Sequence, residues 1–242
     1  TAKGGAKPQE IITYQNGNET IIQPMYVKEK RGFSCRISEK SAELLDKTEI
    51  AHYTDNRLLS GGIAMYEEIK KLAETIGFQK CGEIAARRIP CDPTLRRFCE
   101  QNICGMFRSS YMCPPAEGSA ELLIAKLHGY KTALVFTQEY ICEDMNNYMA
   151  VQIAHERRSQ LLWKSMQKLG YTEKNSRVLT VGGCHLCEEC GIKTGEPCRH
   201  PDTACPSVSG YCIECDKLAE AVGLSTQAEN GGLVFMALVL LK

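Results

Sequence analysis

The residues of this chain with the most chemical capacity are its thiols, 14 cysteines in 242 residues. The tightest group is Cys184-His185-Leu186-Cys187-Glu188-Glu189-Cys190, followed by Cys198 after Pro197. Spacing of the form C-x2-C-x2-C wraps a short loop so that three thiolates converge on one small object. That arrangement holds a [4Fe–4S] cluster whose fourth ligand lies further along the chain. Here seven residues separate Cys190 from Cys198, against the three of bacterial ferredoxins, so the loop is a variant of that pattern. Zinc also takes C-x2-C pairs, but a tetrahedral site joins two such pairs and gains nothing from a third closely spaced thiolate. The loop therefore reads as an iron–sulfur site, with zinc the weaker alternative.

A second group is Cys99-x4-Cys104-x8-Cys113, with Cys113 followed by Pro114-Pro115. Prolines beside a ligand fix φ and remove an N–H, holding a loop in one conformation around a bound group. A third group is Cys205, Cys212 and Cys215. One of these could supply a missing fourth ligand, they could join Cys198 in a further site, or they could simply pack in the core. Cys35, Cys81, Cys91 and Cys142 stand alone in the sequence and read as packing residues. Lys193, Arg199 and His200 flank the first group in the run KTGEPCRHPD. Cations there would stabilise a reduced cluster or hold an anionic substrate, or else hydrogen-bond loop carbonyls. His155-Glu156 reads as part of the solvated face of a helix, and the pairs Arg87-Arg88, Arg96-Arg97 and Arg157-Arg158 read as surface.

Composition narrows the classes. With 29 basic and 29 acidic side chains and 43% hydrophobic residues, the chain reads as globular, and it offers no broad electrostatic footprint for nucleic acid or an anionic membrane. No apolar run approaches the ~20 residues of a membrane span, and Thr1 to Gln9 carries no apolar leader. A cytoplasmic setting follows as the expectation, where disulfides are rare and abundant cysteine means metal or redox chemistry. Nucleotide-binding glycine fingerprints, a P-loop, HExxH and GxSxG are all lacking.

The elements that must position these thiols can be read from periodicity. Ile11 to Tyr14 and Thr20 to Ile22 flank Asn16-Gly17, the strongest short hairpin signal. Leu59, Ile63, Tyr66, Ile69, Ala73 and Ile76 fall on one face of a helix that Gly77 ends. Thereafter strands at 84–89, 132–137, 177–181 and 233–241 alternate with helices at 119–128, 143–169 and 207–223. The wholly apolar Leu233 to Leu241 is expected to be a central strand. The order predicts an α/β or α+β sandwich with a sheet of four to five strands. A hairpin-and-helix extension (1–79) precedes a Cys-rich metal-binding domain (80–242). Both Cys-rich loops follow strands, which would set them together on one edge of the sheet if the strands are parallel.

The segments CEQNICGMFRSSYMCPP (99–115) and CHLCEECGIKTGEPCRHPD (184–202), with the closing GLVFMALVLL, resemble a family of prokaryotic predicted metal-binding proteins with a ferredoxin-like cysteine pattern. The resemblance covers about residues 80–242 and implies that Cys99, Cys104, Cys113, Cys184, Cys187, Cys190 and Cys198 bind metal. Cys205, Cys212 and Cys215 depart from the family pattern by adding candidate ligands. The leading expectation is a protein with one or two [4Fe–4S] clusters that passes electrons to a redox partner protein. In that expectation Cys198 is a candidate fourth ligand for the 99–113 group. One alternative is an iron–sulfur-dependent oxidoreductase using an open cluster iron, with Lys193, Arg199 or His200 orienting a small anionic substrate. The other is a zinc-stabilised interaction module.

Overall fold

The computed structural model describes residues 12–16, 19–23, 63–141, 147–229 and 232–242. Strands β1 (Ile12–Asn16) and β2 (Glu19–Gln23) pair antiparallel in the expected hairpin, with Asn16 closing β1 opposite Glu19. The turn itself, the first turn of the expected helix at 58–62, residues 143–146, Cys35 and Cys142 lie outside the described residues.

The main sheet has four strands in the order β3-β4-β6-β5, where β3 is Lys80–Ala85, β4 Thr132–Tyr140, β5 Ser176–Leu179 and β6 Leu233–Leu241. Every neighbouring pair is antiparallel. With five α-helices among the described residues, this is an α+β fold. The reason β6 is apolar throughout is its place between β4 and β5. Met236, Leu238 and Leu240 enter one core while Ala237, Val239 and Leu241 enter the other.

Helices cover both faces. On one side lie α1 (Ile63–Ile76) and α4 (Tyr148–Lys168), whose Ile69, Ala73, Leu162, Trp163 and Met166 pack with Leu134 and Phe136 of β4. On the other lie α3 (Ala120–His128) and α5 (Cys215–Ala221), which contribute Leu123, Leu127, Leu218 and Ala219. Ser119 caps α3 by accepting the Leu122 N–H at 3.3 Å, and Gly129 follows its last turn. The short α2 (Arg96–Glu100) lies within the first Cys-rich loop.

Three sequence expectations change. The strand expected at 84–89 is shifted to Lys80–Ala85; a last ladder bond runs from Ala86 N–H to Lys131 O at 2.9 Å, and the chain then turns through a 3-10 helix at Ala86–Arg88, closed by Ile89 N–H to Ala86 O at 3.2 Å. The helix expected over 207–223 begins only at Cys215, because residues 207–214 spend their amides elsewhere. Val208 N–H donates to Thr180 O at 2.8 Å and Glu214 N–H to Pro90 O at 3.0 Å, while Cys212 adopts φ +54°. The antiparallel sheet also sends the two Cys-rich loops out from opposite ends, since β3 and β5 run in opposite directions. They are joined instead by hydrogen bonds between them, Tyr111 to Glu196 O and Ser207 N–H to Met112 O.

Candidate metal centre

The first loop is wound by local chemistry. Asp92 accepts the Thr94 N–H at 2.8 Å and Pro93 opens a 3-10 turn that runs into α2, which carries Cys99. Asn102 takes φ +55° and its side-chain oxygen accepts the Phe107 N–H at 2.9 Å, curling the segment that holds Cys104 back toward Cys99. Cys113 is buried behind them.

The second loop is placed by the sheet and by α4. A buried polar stripe on α4, formed by Gln152, His155, Glu156, Ser159 and Gln160, faces the chain as it leaves β5. Thr180 donates its hydroxyl to Ser159 at 2.9 Å. Gly182 stands where a Cβ would run into the Gln152 amide, and its φ of +73° is a glycine conformation. Glu156, 1% exposed, receives the His185 N–H at 2.8 Å, lies 2.7 Å from His185 Nδ1 and accepts from Gln160 at 2.6 Å. The residue after Cys184 is thereby fixed to the helix at both backbone and side chain. The expectation of a solvated His155-Glu156 is thus overturned: the polar face turns inward because the loop supplies partners for it. Its signal in the sequence is the spacing 152, 155, 156, 159, 160, one helical face running into Trp163.

The loops touch directly. Tyr111 donates its hydroxyl to Glu196 O at 2.6 Å, Ser207 N–H donates to Met112 O at 3.3 Å, and a Cβ on Gly183 would collide with Met106. Arg96, expected on the surface, is part-buried and joins both loops, donating to Gly118 O at 3.2 Å and Gly210 O at 2.9 Å.

Electrostatics report which thiols share a neighbourhood. Burial, opposed by Arg96 and helped by Cys104 and Cys212, pushes the Cys99 thiol up to about 11. Burial takes Cys113 to about 12, with added effects of Cys104, Cys99 and Cys184. Burial likewise takes Cys184 to about 12, helped by Glu156, Cys198 and Cys190. Cys187 lies beside Arg199, whose guanidinium is raised by its Glu196 hydrogen bond first and by Cys187 next. Two groups of neighbours result, Cys99, Cys104 and Cys113 with Cys212 beside Cys99, and Cys184, Cys190 and Cys198 with Cys187 beside Arg199; Cys113 also neighbours Cys184, and Cys212 also neighbours Cys91. Among the described residues, no three His, Cys, Asp or Glu side chains converge closely enough to hold a single metal ion. The donor set is nonetheless rich in thiols, many of them partly buried, which suits a metal-binding role.

The remaining sequence candidates fall around this centre. Cys205 is buried in the core beneath α4, with its Sγ 3.6 Å from Thr203 O. Cys215 starts α5 and packs with Cys91 against the opposite core. Arg199 is exposed and donates to Glu189 O at 2.9 Å and Glu196 at 3.1 Å; Lys193 and His200 are exposed on the same loop. A groove of about 620 Å³ lies beside the first loop, lined in part by Arg96, Arg97, Phe107, Ser119 and Glu121.

A family model described as predicted metal-binding protein (DUF2284) matches residues 82–241, and the chain belongs to that family. No curated protein matches the chain. Among solved structures, the chain is similar to the crystal structure of epoxyqueuosine reductase with a tRNA-Tyr epoxyqueuosine-modified stem loop. Identity is 16%, the match covers 74% of this chain and 45% of that one, and the TM-score is 0.35, a likeness too slight to carry argument. Among the described residues, no helix is long and apolar enough to cross a membrane.

Proposed function

We propose that this protein carries one or two [4Fe–4S] clusters and passes single electrons to a partner protein. The observation that carries the reading is the Cys184–Cys198 loop, in which four cysteines at near-ferredoxin spacing are anchored by Glu156 and left half-exposed at the rim. A zinc site joins two C-x2-C pairs, whereas this loop crowds three thiols at C-x2-C-x2-C spacing, which favours a cubane.

When bound, such a cluster supplies a reversible one-electron couple. The chain's own residues do the rest. Glu156 and Thr180 hold the loop against α4, and the cores on both faces of the sheet keep its base rigid. Exposed Lys193, Arg199 and His200 face outward with Glu188 and Glu189, giving a mixed-charge surface on which a redox partner can dock. Arg199 beside Cys187 favours the more negative, reduced state.

The test is anaerobic reduction of the iron-loaded chain, followed by electron paramagnetic resonance and reoxidation. A paramagnetic signal that appears on reduction and disappears on reoxidation is expected. A loaded chain that shows no redox change over the accessible range would refute electron transfer.

A further inference from the structure

We propose that Cys212 is the fourth ligand of the centre built on Cys99, Cys104 and Cys113, so that this centre is held jointly by the two Cys-rich loops. The inference rests on the iron–sulfur reading above and goes beyond it in assigning a ligand.

The first loop brings three thiols and needs a fourth. Cys198, a candidate by sequence, stands with Cys190 beside Cys184 in the other gathering. Cys205 is on the far face of the sheet, packed in the core with Phe136 and Trp163. Cys215 and Cys91 pack against the core formed by Leu218 and its neighbours. Cys212 is also buried and neighbours Cys91, but it differs in its tie to Cys99. Ser209 O accepts the Cys212 N–H at 3.0 Å, and the Cys99 Sγ lies 3.9 Å from that same oxygen. One carbonyl thus ties the Cys99 thiol to the backbone of Cys212.

The surrounding hydrogen bonds hold that juxtaposition. Asp92 N–H donates to Cys212 O at 3.0 Å, which joins the start of the first loop to the end of the second. The Cys91–Ile213 bridge continues this join. Arg96, one helical turn before Cys99, donates to Gly210 O at 2.9 Å.

The test uses the full chain, reconstituted anaerobically with iron and sulfide. Cys212 sits at φ +54°, a conformation glycine adopts freely, so Cys212→Gly removes the thiol without straining the backbone. We expect Cys212→Gly to lose about half of the iron and sulfide of the wild type, or to show the paramagnetic signature of a three-iron cluster in the oxidised state. Cys205→Ala and Cys215→Ala are expected to keep the full complement. Cys212→Ser, which offers an oxygen ligand, is expected to recover iron with an altered signal. Wild-type loading in Cys212→Gly, with an unchanged spectrum, would overturn the assignment and leave the iron–sulfur reading standing. A wild-type chain that takes up no iron and sulfide would overturn both.

Discussion

Glu156 offers the sharpest perturbation, because one buried side chain fixes the entry to the Cys184 loop. It is 1% exposed and meets His185 N at 2.8 Å, His185 Nδ1 at 2.7 Å and Gln160 Nε2 at 2.6 Å. Glu156→Gln preserves volume and, with its amide oxygen at the Oε1 position, still accepts from His185 N–H and Gln160, but sets an NH2 against His185 Nδ1. One of the three hydrogen bonds is then lost or reversed, and the other two lose their charge. At about 1–3 kcal/mol for a bond to a charged group, the expected destabilisation is about 1–3 kcal/mol. For a domain of this size that corresponds to a midpoint lower by roughly 2–12 °C. Thermal unfolding of the metal-free chain followed by circular dichroism measures this directly. Iron retained after gel filtration measures the consequence for the loop, and we expect it to fall with stability. Gln160→Ala, which removes one of the three bonds, should give a smaller change in both. If Glu156→Gln melts with the wild type and keeps its iron, the claim that α4 positions the cysteine loop is refuted.

Two further predictions concern pH. Burial pushes His155 from 6.5 down to about 3, so the unfolded chain binds a proton in that window that the folded chain does not. Stability should therefore be retained above about pH 6.5 and fall by about 1.4 kcal/mol for each unit below it. His155→Gln should flatten that part of the pH profile in urea titrations. Buried Cys113 and half-buried Cys184, both pushed up to about 12, are thiols at neutral pH and must release protons to bind metal. Apparent metal affinity in a chelator competition should accordingly rise by about tenfold per pH unit for each proton displaced, and weaken as the solution is acidified. A pH-independent competition would contradict that.

Much of the fold was legible wherever burial and periodicity agree. β6 announces its central place by an unbroken apolar run, and α3 by Ser119, its apolar spacing and Gly129. Periodicity failed where partners are distant in sequence. The stripe from Gln152 to Gln160 reads as solvated because its residues are polar, yet Thr180, Gly182 and His185 lie more than 20 residues away and turn it inward. Arg96 reads as surface for the same reason, its partners Gly118 and Gly210 being remote. The late start of α5 depends on amides captured by Pro90 and Thr180, again a tertiary choice overriding local propensity. The thiol groups of the centre were visible as sequence spacing, whereas the company Cys212 keeps required the meeting of two loops that leave opposite ends of the sheet.

The central claim is that the two gatherings of cysteines hold iron–sulfur clusters. Iron, acid-labile sulfide and zinc, measured per chain on protein purified without oxygen and paired with an absorbance spectrum, test it most directly. About eight irons and eight sulfides with a broad visible charge-transfer band are expected, or about four of each if a single loop is loaded. Stoichiometric zinc with no sulfide would contradict it.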